Sequence, residues 1–118
     1  MTISKFKSAD DGAYIYVTFA SYDDVQLFIG STPNKERPLE EYEIRLEVTA
    51  KNNKLLTENG FYDKVKVGHT ITVRASHFIY MDGDFFYIAS VTVGNTEYLN
   101  FDTGLANIIK MMRKNPGL

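Results

Sequence analysis

Lys64-Val-Lys-Val-Gly-His-Thr-Ile-Thr-Val-Arg-Ala-Ser-His-Phe-Ile-Tyr-Met81 opens the stretch, residues 65–101, on which the reading of the fold turns. Val65, Val67, Ile71, Val73, Ala75, Ile79 and Met81 share one parity, the period of a half-buried strand. Lys64, Lys66, Thr70, Thr72, Arg74 and Ser76 take the other. Asp82-Gly83 marks a hairpin, and a one-residue slip would turn every side chain of the returning strand to the opposite face. A three-residue loop of Met81, Asp82 and Gly83 is expected, setting Val73 opposite Val91, Ala75 opposite Ala89 and Ile79 opposite Phe85. Gly94-Asn95 suits a two-residue turn and brings Val91 opposite Tyr98, Ser90 opposite Leu99 and Ile88 opposite Phe101.

The predicted product is a three-stranded meander whose second face carries Phe78, Tyr80, Phe86, Ile88, Leu99 and Phe101 beside Arg74. A patch of that kind calls for a cover. Asp102 or Thr103 can cap a helix over about residues 103–115, in which Leu105, Ile108, Ile109 and Met112 form one apolar face. Packing of this C-terminal amphipathic helix on the sheet is the expectation.

The 118 residues, 44% hydrophobic, suffice for one domain over residues 1–118 with its own core. Cysteine is absent, which excludes disulfides and thiol chemistry. No apolar run fits a signal peptide or a membrane span, so the expectation is no membrane and a cytoplasmic location. Residues 1–63 carry 7 Lys/Arg against 11 Asp/Glu, and residues 64–118 carry 6 against 4. This mild asymmetry lacks the strongly basic balance of a domain held to nucleic acid mainly through phosphates.

Upstream, residues 3–7 read as a short leading strand and Asp10-Asp11-Gly12 as the turn after it. Residues 13–19 and 25–29 read as a strand pair, with Ile15, Val17 and Phe19 matched to Ile29, Leu27 and Val25. The other face then holds an aromatic stripe of Tyr14, Tyr16 and Phe28, either a platform for bases, sugars or a partner peptide, or ordinary cross-strand packing. Residues 30–41 contain two prolines and no periodicity, and are expected to form an exposed, mobile loop. Residues 42–50 alternate cleanly, with an outward row of Glu41, Glu43, Arg45, Glu47 and Thr49. That acidic row either interlocks with Lys64, Lys66 and Arg74 across strands or borders the aromatic stripe. Residues 51–63 are a connection that holds one helical turn or a small hairpin.

No constellation for catalysis or metal binding emerges. His69 and His77, eight residues apart on one strand, would stand roughly 26 Å apart and cannot share an ion; His77 on the inward parity reads as a core histidine. Neither a phosphate-binding glycine loop nor a nucleophile elbow occurs, and the acidic pairs sit in turns or on exposed rows. No metal or cofactor is called.

Val65-Lys-Val-Gly-His-Thr-Ile-Thr-Val-Arg74 and Met81-Asp-Gly-Asp-Phe-Phe-Tyr-Ile-Ala-Ser-Val91 resemble a strand pair of OB-fold barrels, and the order of strands along the chain is similar to theirs. The fold expected is therefore mainly β (α+β), a small antiparallel β-barrel or strongly rolled OB-like sheet with the C-terminal helix on it. A pleckstrin-homology-like barrel is the alternative. The OB resemblance implies ligand binding on the second and third strands and the loops at one end, here Phe28 and Arg45 with Tyr16 nearby and Lys35 and Arg37 on the adjoining loop. Glu43 and Glu47 on the same row depart from the basic groove of the family's single-strand binders. Three functions follow: a non-enzymatic binding or accessory domain, docking a protein partner or itself through Tyr14, Tyr16 and Phe28; a domain for single-stranded nucleic acid; or an enzyme with an unrecognised site.

Overall fold

The computed structural model describes residues 1–81 and 83–100, so the expected C-terminal helix and the Ile88/Phe101 pairing lie outside the described residues. Among the described residues a hairpin, a helical crossover and a three-stranded meander follow one another. β1 (Thr2–Ala9) and β2 (Gly12–Thr18) are joined at Asp10-Asp11, as expected. Next come α1 (Tyr22–Ile29), a 3-10 turn at Leu39–Glu41 and β3 (Ile44–Thr49). α2 (Ala50–Glu58) and α3 (Phe61–Lys64) lead to β4 (Thr72–Tyr80), β5 (Gly83–Val93) and β6 (Thr96–Asn100).

The described residues are mainly β, and six strands among them form one mixed sheet in the order β1-β2-β3-β5-β4, with β6 paired to β5. It is not the antiparallel barrel expected. β3 runs parallel to β5 through Leu46/Phe86 and Glu47/Tyr87, because the crossover through α2 and α3 leads into β4, which runs opposite to β3, and the β4/β5 hairpin then turns the chain back alongside β3. The sheet rolls until β1 meets the segment before β4. Ile3 donates to His69 O at 3.0 Å, Gly68 to Ile3 O at 2.8 Å and Ile71 to Met1 O at 2.9 Å, beside a Thr2/Thr70 bridge. That seam is short, and the sheet is not closed.

Residues 25–29, expected as a strand, are helical. Ser21 takes an extended conformation and its hydroxyl accepts from Asp24 N at 3.2 Å, Asp23 and Asp24 occupy the positive first turn, and Gly30 closes the helix at φ 75°. Val25 is buried and Phe28 and Ile29 partly so, whereas Leu27 is 86% exposed. The alternation of Val25, Leu27 and Ile29 imitated a strand while positions 25, 28 and 29 formed the true apolar face.

Residues 51–63 resolve into helix. Thr49 caps α2 through Asn52 N, Leu56 is fully buried, and Asn52 and Asn59 donate to Ile88 O at 3.1 Å and Tyr98 O at 2.7 Å. Tyr62 on α3 donates to Asn53 Oδ1 at 2.5 Å. The core draws on both layers, with Ile15, Val17, Leu46, Leu56, Phe61, Ile71 and Val91 nearly inaccessible.

The central hairpin mixes expectation and surprise. Val73 does pair with Val91, but Tyr80 pairs with Gly83, so the loop is one residue shorter than expected. A bulge between Arg74 and Ala75 absorbs the difference at Ala89, so that Ala75 faces Ile88, His77 faces Phe86 and Phe78 faces Phe85. A second bulge in β6 follows the expected Gly94-Asn95 turn and sets Leu99, rather than Tyr98, opposite Val91. β4 also begins at Thr72, since Phe61–Lys64 is helix and Gly68, at φ 95°, bends residues 66–71 back along β1.

Candidate functional site

Among the described residues, functional residue types converge on the sheet's outer face. Register fixes it: cross-strand partners share a face, so Lys5/Tyr16/Arg45 form one row and Lys7/Tyr14/Glu47/Tyr87/Ser76 the next. Phe78 and Phe85 continue it on the hairpin. Among the described residues six aromatic side chains therefore lie on this face: Tyr14, Tyr16, Phe78, Tyr80, Phe85 and Tyr87. On the hairpin they pack on one another, Phe78 with Tyr87 at 5.5 Å edge to face, Tyr80 with Phe85 at 5.3 Å, and Phe78 stacked on Tyr80 at 6.3 Å. All six keep part of their surface open, Phe78 and Tyr80 about half of it.

Cations interleave with the rings. Lys5 Nζ stands 4.7 Å over the Tyr16 ring and the Arg45 guanidinium 4.6 Å over Tyr14. Arg45 also meets Glu47 at 2.9 Å. Burial alone would lower the Arg45 pKa, but the Glu47 charge and hydrogen bond outweigh it and hold the group above its ordinary value. The acidic row of β3 thus borders the Tyr14/Tyr16 stripe and not Lys64, Lys66 and Arg74. Its charges are engaged, Glu47 by Arg45 and Glu43 by the Ser4 hydroxyl at 2.7 Å.

Of the residues singled out in the sequence, Tyr14, Tyr16 and Arg45 meet on this face. Phe28 does not: on α1 its ring sits on the other side of the sheet, 5.5 Å from Phe19 and 5.2 Å from Phe86. Arg37 lines, with Tyr42, Arg45, His77, Asp84 and Phe86, a groove of about 390 Å³ at the margin where β3 and β5 diverge. Its guanidinium lies on the Tyr42 ring and bonds to Glu41. Lys35 is exposed on the loop. That loop is tied down rather than free, since Tyr22 donates to Lys35 O and Arg37 O and Tyr42 donates to Asn34 O at 2.8 Å. His77 is not a core histidine; it is exposed, stacked on Phe86 at 4.4 Å, with Nε2 3.1 Å from Asp84 Oδ1.

Lys5, Lys7, Phe78, Tyr80, Phe85 and Tyr87 are additions that sequence reasoning did not assemble. A hairpin loop one residue too long had grouped Phe78 and Tyr80 with Phe86 and Ile88, which in fact face the core. Among the described residues no group of three or more His, Cys, Asp or Glu is placed to hold a metal, and no helix is long and apolar enough to cross a membrane. No family model matches this sequence, and neither a curated protein nor a solved structure matches it.

Proposed function

We propose that this chain is a non-enzymatic binding domain of OB type that takes single-stranded nucleic acid on its outer sheet face. The observation that carries the reading is the row of partly open aromatic rings with Lys5, Lys7 and Arg45 set among them. Unpaired bases offer π-faces that stack on such rings at ~1–3 kcal/mol per base, while the backbone follows the cations. A duplex keeps its bases stacked internally and gains nothing from the rings. The strand path β1-β2-β3-β5-β4, with a helical crossover before β4 and a partly open seam between β1 and the segment before β4, supports the OB resemblance. The net charge of −2 is small, and on this face Glu43 is engaged by Ser4 and Glu47 by Arg45.

Fluorescence anisotropy of labelled single-stranded DNA and RNA at low and near-physiological salt tests the reading. Saturable binding that weakens with salt, falls at least fivefold in Phe78→Ala or Tyr16→Ala and is lost in Arg45→Glu is the expected result. Absence of binding at both salts, or equal affinity for duplex and single strand, would refute it. A protein partner, the other expectation, finds its support elsewhere, on the β4 edge.

A further inference from the structure

β4 ends the strand path, and among the described residues no strand pairs with its outer edge beyond the Thr2/Thr70 bridge. An open edge presents a row of backbone donors and acceptors to any passing strand, and edges are normally blunted by lysine, proline or a bulge. The opposite edge is guarded in this way: β1 carries exposed Lys5 and Lys7. β4 is not. Ala75-Ser-His-Phe-Ile-Tyr-Met81 contains no Lys, Arg, Asp, Glu or Pro. It exposes apolar surface on both faces, with Phe78 at 45%, Ile79 at 77%, Tyr80 at 55% and Met81 fully open. The Ala89 bulge belongs to β5 and leaves the free edge of β4 regular from Ala75 onward.

We infer that β4 pairs edge to edge, antiparallel, with β4 of a second copy of this chain, about a two-fold axis at Phe78. The occupant follows from self-complementarity. In that register Phe78 meets Phe78, Ser76 meets Tyr80, His77 meets Ile79 and Ala75 meets Met81. No charge opposes a like charge, and an aromatic pair sits at the centre. The same operation on β1 about Phe6 would set Lys5 against Lys7, a like-charge pair that disfavours it. An isologous contact uses the edge of both copies and closes at two, which removes the aggregation hazard of an open edge. Such a contact is small, so a concentration-dependent dimer is expected. The inference stands on the edge and is independent of the ligand. Where the nucleic-acid reading also holds, the two outer faces lie on the same side of one continuous sheet and their aromatic rows adjoin.

Sedimentation velocity without nucleic acid, from about 5 to about 500 μM, tests it, together with hydrogen exchange of the β4 amides. The wild-type chain should shift from monomer to dimer, with residues 76–80 gaining protection as concentration rises. Phe78→Lys and Phe78→Glu should each weaken the dimer at least tenfold by self-repulsion, and an equimolar mixture should recover it as a heterodimer. Ile79→Lys, at a side chain that is mostly exposed and outside the aromatic face, should weaken it without altering far-UV circular dichroism. A monomer throughout the range, species growing beyond dimers, a dimer without β4 protection, or a mixture no tighter than either Phe78 variant would overturn the inference.

Discussion

Gly12→Ala should destabilise the fold far more than its partly buried position at the start of β2 suggests. Gly12 has φ 148°, in a region L side chains rarely enter, and it pairs with Thr49 at the end of the β2/β3 ladder. A Cβ built there would lie 2.0 Å from the Val48 carbonyl oxygen and 3.0 Å from the Thr49 carbonyl carbon. Real Cβ atoms stay beyond 3.0 Å, so the two strands must separate locally by about 1 Å. Backbone strain costs about 1–3 kcal/mol. Loss of one or two ladder hydrogen bonds adds about 1 kcal/mol each. The sum is about 3 kcal/mol, a large part of the 5–15 kcal/mol typical of a domain, and corresponds to a fall in Tm of about 10 °C. Gly94→Ala is the control: φ is 60°, nothing lies within 4 Å, and only the left-handed penalty of about 1 kcal/mol applies. Urea denaturation followed by circular dichroism measures both. If Gly12→Ala lies within 1 kcal/mol of Gly94→Ala, the close approach of β2 and β3 is not what this glycine serves.

Burial pushes the Tyr62 phenol up to about 12, against an ordinary value near 10. The unfolded chain therefore loses this proton first; the contribution of Tyr62 is intact below pH 10 and declines as pH rises from 10 to 12. Denaturation midpoints over that window should fall in the wild type and less steeply in Tyr62→Phe. Phe28→Ala should lower stability by about 3 kcal/mol through lost contact with Phe19 and Phe86, while single-strand affinity stays unchanged; a binding defect with normal stability would return Phe28 to the site. With Lys5, Lys7 and Arg45 as the phosphate contacts, the logarithm of the binding constant should fall with the logarithm of salt at a slope of about −2, and Lys7→Gln should reduce it by about 0.7. Salt titrations of the two proteins give both slopes.

What was legible in the chain was local. Alternation alone placed β1, β2, β3 and β5 to within a few residues, because a strand with one buried face writes a period of two into its sequence, whereas β4, expected from Val65, begins only at Thr72. Glycine and asparagine placed the Gly94-Asn95 turn. The cap of α1 was also written locally, in Ser21, Asp23, Asp24 and Gly30, but three alternating apolar residues outweighed it. Thr49 likewise announced α2 with a weaker signal.

The tertiary structure decided everything that depends on distant pairing. The parallel contact of β3 with β5 joins residues 46–47 to 86–87, and only that contact brings Tyr87 and the hairpin rings to Tyr14 and Tyr16. The bulge at Ala89 decided which hairpin aromatics face outward, since it lets a short loop coexist with Val73 opposite Val91. A bulge carries no residue signature of its own; it is chosen when core packing at one end of a hairpin and turn geometry at the other demand registers that differ by one. The strands were therefore determined by the sequence acting locally. The shared face, and with it the candidate site, was determined by how the sheet had to roll to bury them.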